Sequence, residues 1–491
     1  MKKIKIAGML FILFFMVLLA IRLNLHDNLF STSRKIEFSA KNRLREKDSW
    51  MNIFQNDRKI GYSHSVFSIA DKHYTIMEDL YMRINTMGVE QDLKLITEGT
   101  LNPDLSLATF DFSISSGRFQ FKASGNVAEG SISVRTEASN AAQHFKIPIK
   151  EKPFLSSGIL QALANHQPAP GDSFTYSVFD PAQMSSQPVH VRVEKKENIF
   201  IMGKSVPSLK VAIVYQGVTQ HSWVGEEDGD LLKEEGILGF RVEKTTKKDA
   251  LFGLPIKASQ DLIQFASVPS NKKLDSPHEL KFLTVQIKGI EIDNLSLSGG
   301  RQKMEHTVLT IQKESLEDLE ADPERFAGIA EQEKAFLEPS PFITSNHPEI
   351  KDLVEKITVK SDPPLDNARK IITWIEKNIE KRPVLSMPDA LSVLKNKVGD
   401  CTEHAILTTA LMRAAGIPSR IEAGLVYLNG RFYFHAWNRI FLGRWITVDS
   451  VFGQIPADVT HIRFATGMQD LQQNLMRVID KVTLTIIESG S

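Results

Sequence analysis

The sequence predicts an α+β protein: one apolar N-terminal helix, a large antiparallel β-rich domain, and a C-terminal domain that mixes helices with strands. Three observations predict it. Short runs alternating apolar and polar residues recur from Trp50 to about Leu251 between turn signals. A helical apolar stripe appears after the prolines at 339, 341 and 348, and the chain opens on an uninterrupted apolar run. A length of 491 residues allows about three domains, and 42% hydrophobic with 24% charged residues is an ordinary globular composition. Lys plus Arg equals Asp plus Glu at 59 each, so no global field draws the chain onto nucleic acid.

In MKKIKIAGMLFILFFMVLLAIRLNL, Lys2, Lys3 and Lys5 precede a run without charge from Ile6 to Ile21. Sixteen helical residues reach about 24 Å, short of a ~30 Å hydrocarbon core, and Leu23 and Leu25 extend the span if Arg22 snorkels. No small-x-small cleavage site follows clearly. Residues 1–27 therefore read as an uncleaved signal anchor, a transmembrane helix whose basic end stays in the cytoplasm, with the bulk extracytoplasmic, periplasmic or at the cell surface. The alternative is a cleaved signal peptide and a secreted protein. Residues 28–48 are polar and basic and suit a linker.

Residues 49–255 carry the alternating runs: KIGYSHSVFSI, HYTIMEDLYMRI, LATFDFSIS, GRFQFKASG, GSISVRTEA, DSFTYSVFD, VHVRVEKK and LKVAIVYQG. So many half-buried strands imply one large curved antiparallel sheet or a sandwich. The carboxylates at 226, 227, 228 and 230 in GEEDGDLLKEEG lack the spacing of a calcium loop, and Asp228-Gly229 reads as a solvated turn. Residues 256–340 mix short strands (LTVQIKGIEI, HTVLTIQKE) with an acidic segment and read as a bridging region.

Residues 341–491 form the C-terminal domain. Apolar residues at 368, 371, 372, 375 and 379 mark an amphipathic helix over Leu365 to Ile379. Next comes GDCTEHA with Cys401, the one cysteine of the chain, which rules out an intrachain disulfide or a multi-thiolate zinc site. Ile406, Leu407, Ala410, Leu411 and Ala414 follow at helical spacing, closed by Gly416 and Pro418. Asp400 with Glu403 three residues on matches a capping box, so the helix starts at Cys401, where first-turn amides and the macrodipole favour a thiolate. A lone cysteine is also a common core filler, and a nucleophilic reading requires a base from another element.

EAGLVYL-NG-RFYFHAWNRIFL-GRWITVD supplies one. With Asn429-Gly430 as a two-residue hairpin loop, Leu428 faces Arg431 and Gly424 faces His435, leaving room there for an imidazole and a substrate. With Leu442-Gly443-Arg444 as a three-residue loop, Trp437 pairs with Asp449, which then lies diagonal to His435 on the same face. A two-residue loop would instead put Asp449 on the opposite face. His404 gives a C-x-x-H half-site without a second pair, so it reads as a helix-packing residue rather than a zinc ligand. His347 and His461 have no partner visible in the sequence and read as structural.

The pieces GDCTEHA, LMRAAGIPSR, FHAWNRIFL and WITVDSVFGQIPADVTHIRF together resemble the transglutaminase-like superfamily, the papain-related thiol enzymes. The resemblance implies a papain-like fold for the C-terminal domain, with Cys401 as nucleophile, His435 as general acid/base and Asp449 orienting the imidazole. It also implies the Cys401 amide as one oxyanion donor, leaves Lys395 and Asn396 as the upstream polar side chains near the place of a second, and calls for no cofactor and no metal. Arg439 departs from the acidic residue relatives often carry after the HAW motif. The expected activity is thiol-dependent acyl transfer on peptide or protein amides, ending in hydrolysis as a cysteine peptidase or amidase. The alternatives are protein-glutamine cross-linking, or a non-catalytic peptide-binding scaffold held at the membrane.

Overall fold

The structure, a computed structural model, describes residues 44–491 apart from 71–72, 118, 139–140, 216, 255, 294, 322–328, 330, 341, 385–388 and 468–476. The N-terminal helix expected over residues 1–27, and most of the linker after it, lie outside the described residues. Among the described residues no helix is long and apolar enough to cross a membrane.

The β-rich region is one antiparallel sheet of fourteen strands. Its first half comprises β1 (Lys47–Gln55), β2 (Arg58–Ile69), β3 (Tyr74–Thr86), β4 (Val89–Leu101), β5 (Leu107–Ser116), β6 (Phe119–Ala128), β7 (Ser131–Ala138) and β8 (Ala141–Pro148). A helix at Ile159–Ala164 then leads to β9 (Ser173–Asp180), β10 (Ser185–Ile201), β11 (Lys204–Tyr215), β12 (Val218–Gly225), β13 (Leu231–Glu235) and β14 (Phe240–Thr245). The chain walks from β1 outward to one edge, crosses to the other edge at β9, and returns until β14 pairs with β1 in the middle. Val189, Val191 and Val193 are buried while His190 and Arg192 between them are exposed, the period-two pattern that makes a one-faced strand.

Phe67, Ile76, Phe110 and Phe121 of the first half share one core with Tyr176, Val191 and Val211 of the second. Residues so far apart along the sheet can meet only because it curls, with Leu155, Ile159 and Leu163 of the crossing segment filling the concave side. At the 225–230 turn Glu226 pairs with Lys196 at 2.9 Å, Asp230 with Lys47 at 3.1 Å, and Asp228 accepts from the Asp230 amide at 2.9 Å. Those carboxylates are engaged in turn formation and ion pairs.

The bridging residues supply β15 (Val268–Pro269), β16 (Phe282–Lys288), β17 (Gln302–Glu305) and β18 (Val308–Gln312). After the short parallel pair β19 (Glu380–Lys381) and β20 (Val398–Gly399) come β21 (Ser419–Leu428), β22 (Arg431–Phe441), β23 (Trp445–Val448), β24 (Ile462–Thr466) and β25 (Thr483–Gly490). The C-terminal β25 leaves its neighbours and pairs with β16, giving a sheet ordered β17-β18-β16-β25. Its apolar face, with Val285, Leu309 and Ile486, packs on Leu425, Phe432 and Phe464 of the sheet made by β15, β22, β21, β24 and β23. Bridging region and C-terminal domain thus share a core. On the far side, Cys401–Ala414 packs with the helices Pro348–Ile357, Pro364–Asn378 and Ala390–Asn396, and Leu365, Ala368, Ile371, Ile372 and Ile375 face that core.

Asn429 and Gly430 have φ of 49° and 84°, the pair of left-handed residues a tight hairpin requires, and Leu428 faces Arg431. The expected space beside Gly424 is used differently. Gly424 stands opposite His435, but a Cβ there would lie 1.9 Å from the Ile462 carbonyl oxygen, so the missing side chain admits the β24 backbone rather than the imidazole. Gly424→Ala is therefore expected to lower stability by about 1–3 kcal/mol in a urea titration, through forced displacement of β24. Gly430→Ala meets no atom within 4 Å and should cost only the left-handed backbone penalty, about 1–2 kcal/mol.

Candidate functional site

Cys401 is the first residue of the Cys401–Ala414 helix. Asp400 caps it: its carboxylate accepts from the Thr402 amide at 2.8 Å, and Glu403 reaches back to accept from the Asp400 amide at 3.0 Å. Burial, and then the Asp400 charge, holds the Glu403 carboxyl well above the usual carboxylate range. Two buried bridges then fix the helix. Asn438 Nδ2 on β22 donates to Ala405 O at 2.9 Å and Thr409 Oγ1 at 2.8 Å, and Thr408 Oγ1 donates to Ser450 Oγ at 2.8 Å. Residues 401, 405, 408 and 409 lie on one helical face, so these bonds set where the thiol sits relative to β22 and the turn after β23.

The β22–β23 loop is the three-residue Leu442-Gly443-Arg444, with Phe441 opposite Trp445 and Asn438 opposite Val448. That register places Asp449 on the His435 face, and His435 Nε2 lies 2.6 Å from Asp449 Oδ2. The other ring nitrogen, Nδ1, is left for Cys401, to which His435 is also hydrogen-bonded. Burial works against a charged His435, but the Asp449 carboxylate, followed by the hydrogen bonds to Asp449 and Cys401, raises it to about 9. Asp449 is fully buried, and the His435 charge and hydrogen bond, then those of His461, hold it far below the usual carboxylate range against the cost of burial. Its Oδ1 accepts from the amides of Val451 at 2.6 Å and Phe452 at 3.2 Å. The three residues singled out in the sequence meet.

The sequence reading missed a fourth member. His461, read as structural and without a partner, presents Nε2 to Asp449 Oδ2 at 2.9 Å and Nδ1 to Asp458 Oδ1 at 3.2 Å. With an acceptor on each side it binds two protons, and despite burial its hydrogen bonds to Asp449 and Asp458 raise it to about 9. Asp458 is fixed by Thr460 and Gln454, and Arg301 from the bridging region donates to Asp458 O at 2.9 Å. Ligand atoms of His435, Asp449 and His461 fall within 4.8 Å of one another. Both imidazole Nε2 atoms already direct protons at the shared carboxylate, where a metal would need lone pairs, so this donor set suits a hydrogen-bonded relay better than a cation.

Residues 351–450 match the sequence model of the transglutaminase-like superfamily. That stretch is a transglutaminase-like domain. No curated protein matches the chain. Among solved structures, a provisionally named cysteine protease from Cytophaga hutchinsonii is 17% identical over 43% of this chain and 86% of its own, with a TM-score of 0.28. A β-barrel-like protein with a domain of unknown function from Brucella abortus is 13% identical over 42% of this chain and 96% of its own, with a TM-score of 0.32. A provisionally named protease from Parabacteroides distasonis is 13% identical over 81% of this chain and 69% of its own, with a TM-score of 0.20. Scores this low leave the assignment to the family match and the site geometry.

Around the core of the transglutaminase-like domain, Arg439 is matched rather than misplaced. Buried Glu422 pairs with Arg439 at 3.4 Å and Arg463 at 3.1 Å, and also accepts from Trp437 Nε1 at 3.1 Å. Trp437 in turn stacks on His435, with centroids 6.1 Å apart, and Phe452 covers the same imidazole at 5.3 Å. Lys395 is engaged elsewhere, 3.3 Å from Glu349, while Asn396 ends its helix. His347 caps the Pro348–Ile357 helix by accepting from the Glu349 amide. His404 bonds Asp400 O at 2.7 Å, and burial lowers its pKa, keeping that ring neutral inside the helix packing.

His435 and His461 have folded pKa values above the ordinary histidine value, so their contribution to stability is complete below about pH 6.5 and is lost as pH rises through about 9. The urea midpoint of the transglutaminase-like domain is expected to fall between pH 7 and 10. His461→Gln should flatten that decline, and an unchanged slope would argue against a charged His461.

Proposed function

We propose that the chain is a thiol-dependent acyl-transfer enzyme that hydrolyses amide bonds in peptides or proteins. The observation that carries this reading is the linked set of Cys401 at a helix N-terminus, His435 hydrogen-bonded to it, and Asp449 2.6 Å behind His435. Cys401 Sγ attacks the amide carbonyl carbon, and the Cys401 amide N–H receives the developing oxyanion. His435, protonated at Nδ1, gives that proton to the leaving amine as the C–N bond breaks, leaving a thioester on Sγ. Water then attacks the thioester and passes a proton to His435, releasing a carboxylic acid and restoring the Cys401 thiolate beside a protonated His435. Asp449 keeps the ring oriented and its Nε2 protonated throughout, and His461 keeps Asp449 in place.

A primary amine in place of water would give a cross-link, the transglutaminase outcome. A scaffold would need neither the Cys401–His435 contact nor the buried carboxylate behind it. We further propose that the apolar run Ile6–Ile21 behind Lys2, Lys3 and Lys5 anchors the chain with this domain outside the cytoplasm. In that arrangement protease added to spheroplasts should digest the domain while alkaline extraction leaves it in the membrane fraction.

A mass-spectrometric screen of peptide mixtures, scored for cleavage against isopeptide formation, tests the chemistry. Cys401→Ala is expected to abolish product, and the same product from both proteins would sink the nucleophile. Asp449→Asn should lower kcat by about 10³- to 10⁴-fold through loss of the imidazole tautomer. His461→Gln removes one hydrogen bond from a carboxylate that keeps two backbone amides, and should cost about tenfold.

A further inference from the structure

The chemistry at Cys401 leaves the β-rich region without a task, yet its curled sheet encloses a cavity of about 540 Å³, a size typical of small-molecule sites. The lining runs from Lys47 to Val242 and includes no residue of the transglutaminase-like domain. Much of the wall is apolar, with Met51, Leu80, Leu95, Phe112 and Ile213. Across it runs a polar row in register: Ser49 opposite Ser65, Ser65 opposite Glu78, and Glu78 opposite Thr97.

Glu234 joins this wall from the other half of the sheet. Glu78 lies on β3 and Glu234 on β13, separated by β2, β1 and β14, roughly 19 Å across the strands of a flat sheet, and Glu234 is level with Met82 rather than with Glu78 itself. Both glutamates nevertheless line the one cavity, so the curl turns the two carboxyls toward a common interior, where the Glu234 charge acts on Glu78. Burial first, and Glu234 second, pushes Glu78 up to about 7, and burial raises Glu234 as well. Among the described residues neither has a cationic partner; Glu234 is met by the side chains of Ser222 and Gln220. Asp230 on the same wall does have one, Lys47 at 3.1 Å. A further acceptor, Gln161 Oε1 from the helix over the cavity, is buried without a donor. Glu78, Glu234 and Gln161 thus offer oxygen atoms that a donor-rich ligand would satisfy.

We propose that this cavity binds an amphipathic primary amine, its apolar body against Met51, Leu80, Leu95 and Phe112 and its ammonium group held by Glu78 and Glu234. The cation replaces the proton that burial otherwise keeps on Glu78, so binding releases a proton. Affinity then rises with pH until Glu78 is ionised, about tenfold between pH 6 and 8 for a ligand whose own amine stays charged near the lysine value.

Octylammonium titrated into the full chain in lipid nanodiscs by calorimetry tests this, with octanol and octanoate as probes of the same chain length. The Glu78→Gln/Glu234→Gln protein provides the reference for partition into lipid. The expected result is a single saturable site for octylammonium, at least tenfold weaker binding of octanol, no site for octanoate, and loss of the site in the double variant with its thermal unfolding retained. Glu78→Gln alone serves the same purpose should the double variant not fold. Equal binding of octanol or octanoate, an affinity independent of pH, undiminished binding by the variants, or no saturable site in the wild type would each overturn the proposal. The readout does not involve Cys401, so its outcome is independent of the acyl-transfer reading.

Discussion

A single carboxylate oxygen, Asp449 Oδ2, takes hydrogen bonds from two imidazoles, His435 at 2.6 Å and His461 at 2.9 Å. An ionised carboxylate with no solvent exposure survives only where donors surround it, and here four do: two rings on Oδ2 and two backbone amides on Oδ1. The surrounding structure serves to bring those donors together. β22 delivers His435, the turn after β23 delivers the amides, and the segment before β24 delivers His461. Asn438 and Thr408 then hold the cysteine helix against this assembly, so that Cys401 reaches the remaining nitrogen of His435.

The second histidine alters the electrostatics of a Cys-His-Asp arrangement. A carboxylate facing one imidazole puts its whole charge at that ring's disposal. Here the charge is divided, because His461 is itself cationic between Asp449 and Asp458. The alternation Asp458, His461, Asp449, His435 is a line of opposite charges. Its far end is tied down by Arg301, a residue from the bridging region that donates to backbone oxygens of the 457–461 segment. Positioning of the thiol's partner therefore extends beyond the stretch that matches the superfamily.

Much of the site was legible because its parts lie on regular elements with countable periods. Asp400 and Glu403 mark a helix start, Asn429-Gly430 sets one register, and the choice of a three-residue loop at 442–444 decides the face of Asp449. His461 escaped because the 450–461 segment has no period to count, and Arg301 because it is 157 residues from Asp458, its partner through the backbone oxygen. Gly424 was read from its β22 neighbour alone, whereas the decisive crowding comes from β24, on the other side of β21. In the large sheet the evenly alternating runs were plain, but β4, reading VEQDLKLITEGTL, exposes Glu90, Asp92, Lys94 and Glu98 on one face while Gln91, Thr97 and Gly99 interrupt the leucines of the other, which thins its apolar signal.

The pairing of β25 with β16 bears on the order in which the molecule becomes competent. The strand that completes the sheet beneath β21 and β22 is synthesised after Cys401, His435 and Asp449 have all been made. Until residues 483–490 emerge, Val285 and Leu309 lack the Ile486 side of their shared core, and the hairpin carrying His435 rests on an unfinished support. The support beneath the partner of Cys401 is therefore closed by a strand made after the whole Cys401–His435–Asp449 set. The geometry of the site thus depends on β25, a strand that contributes no side chain to it.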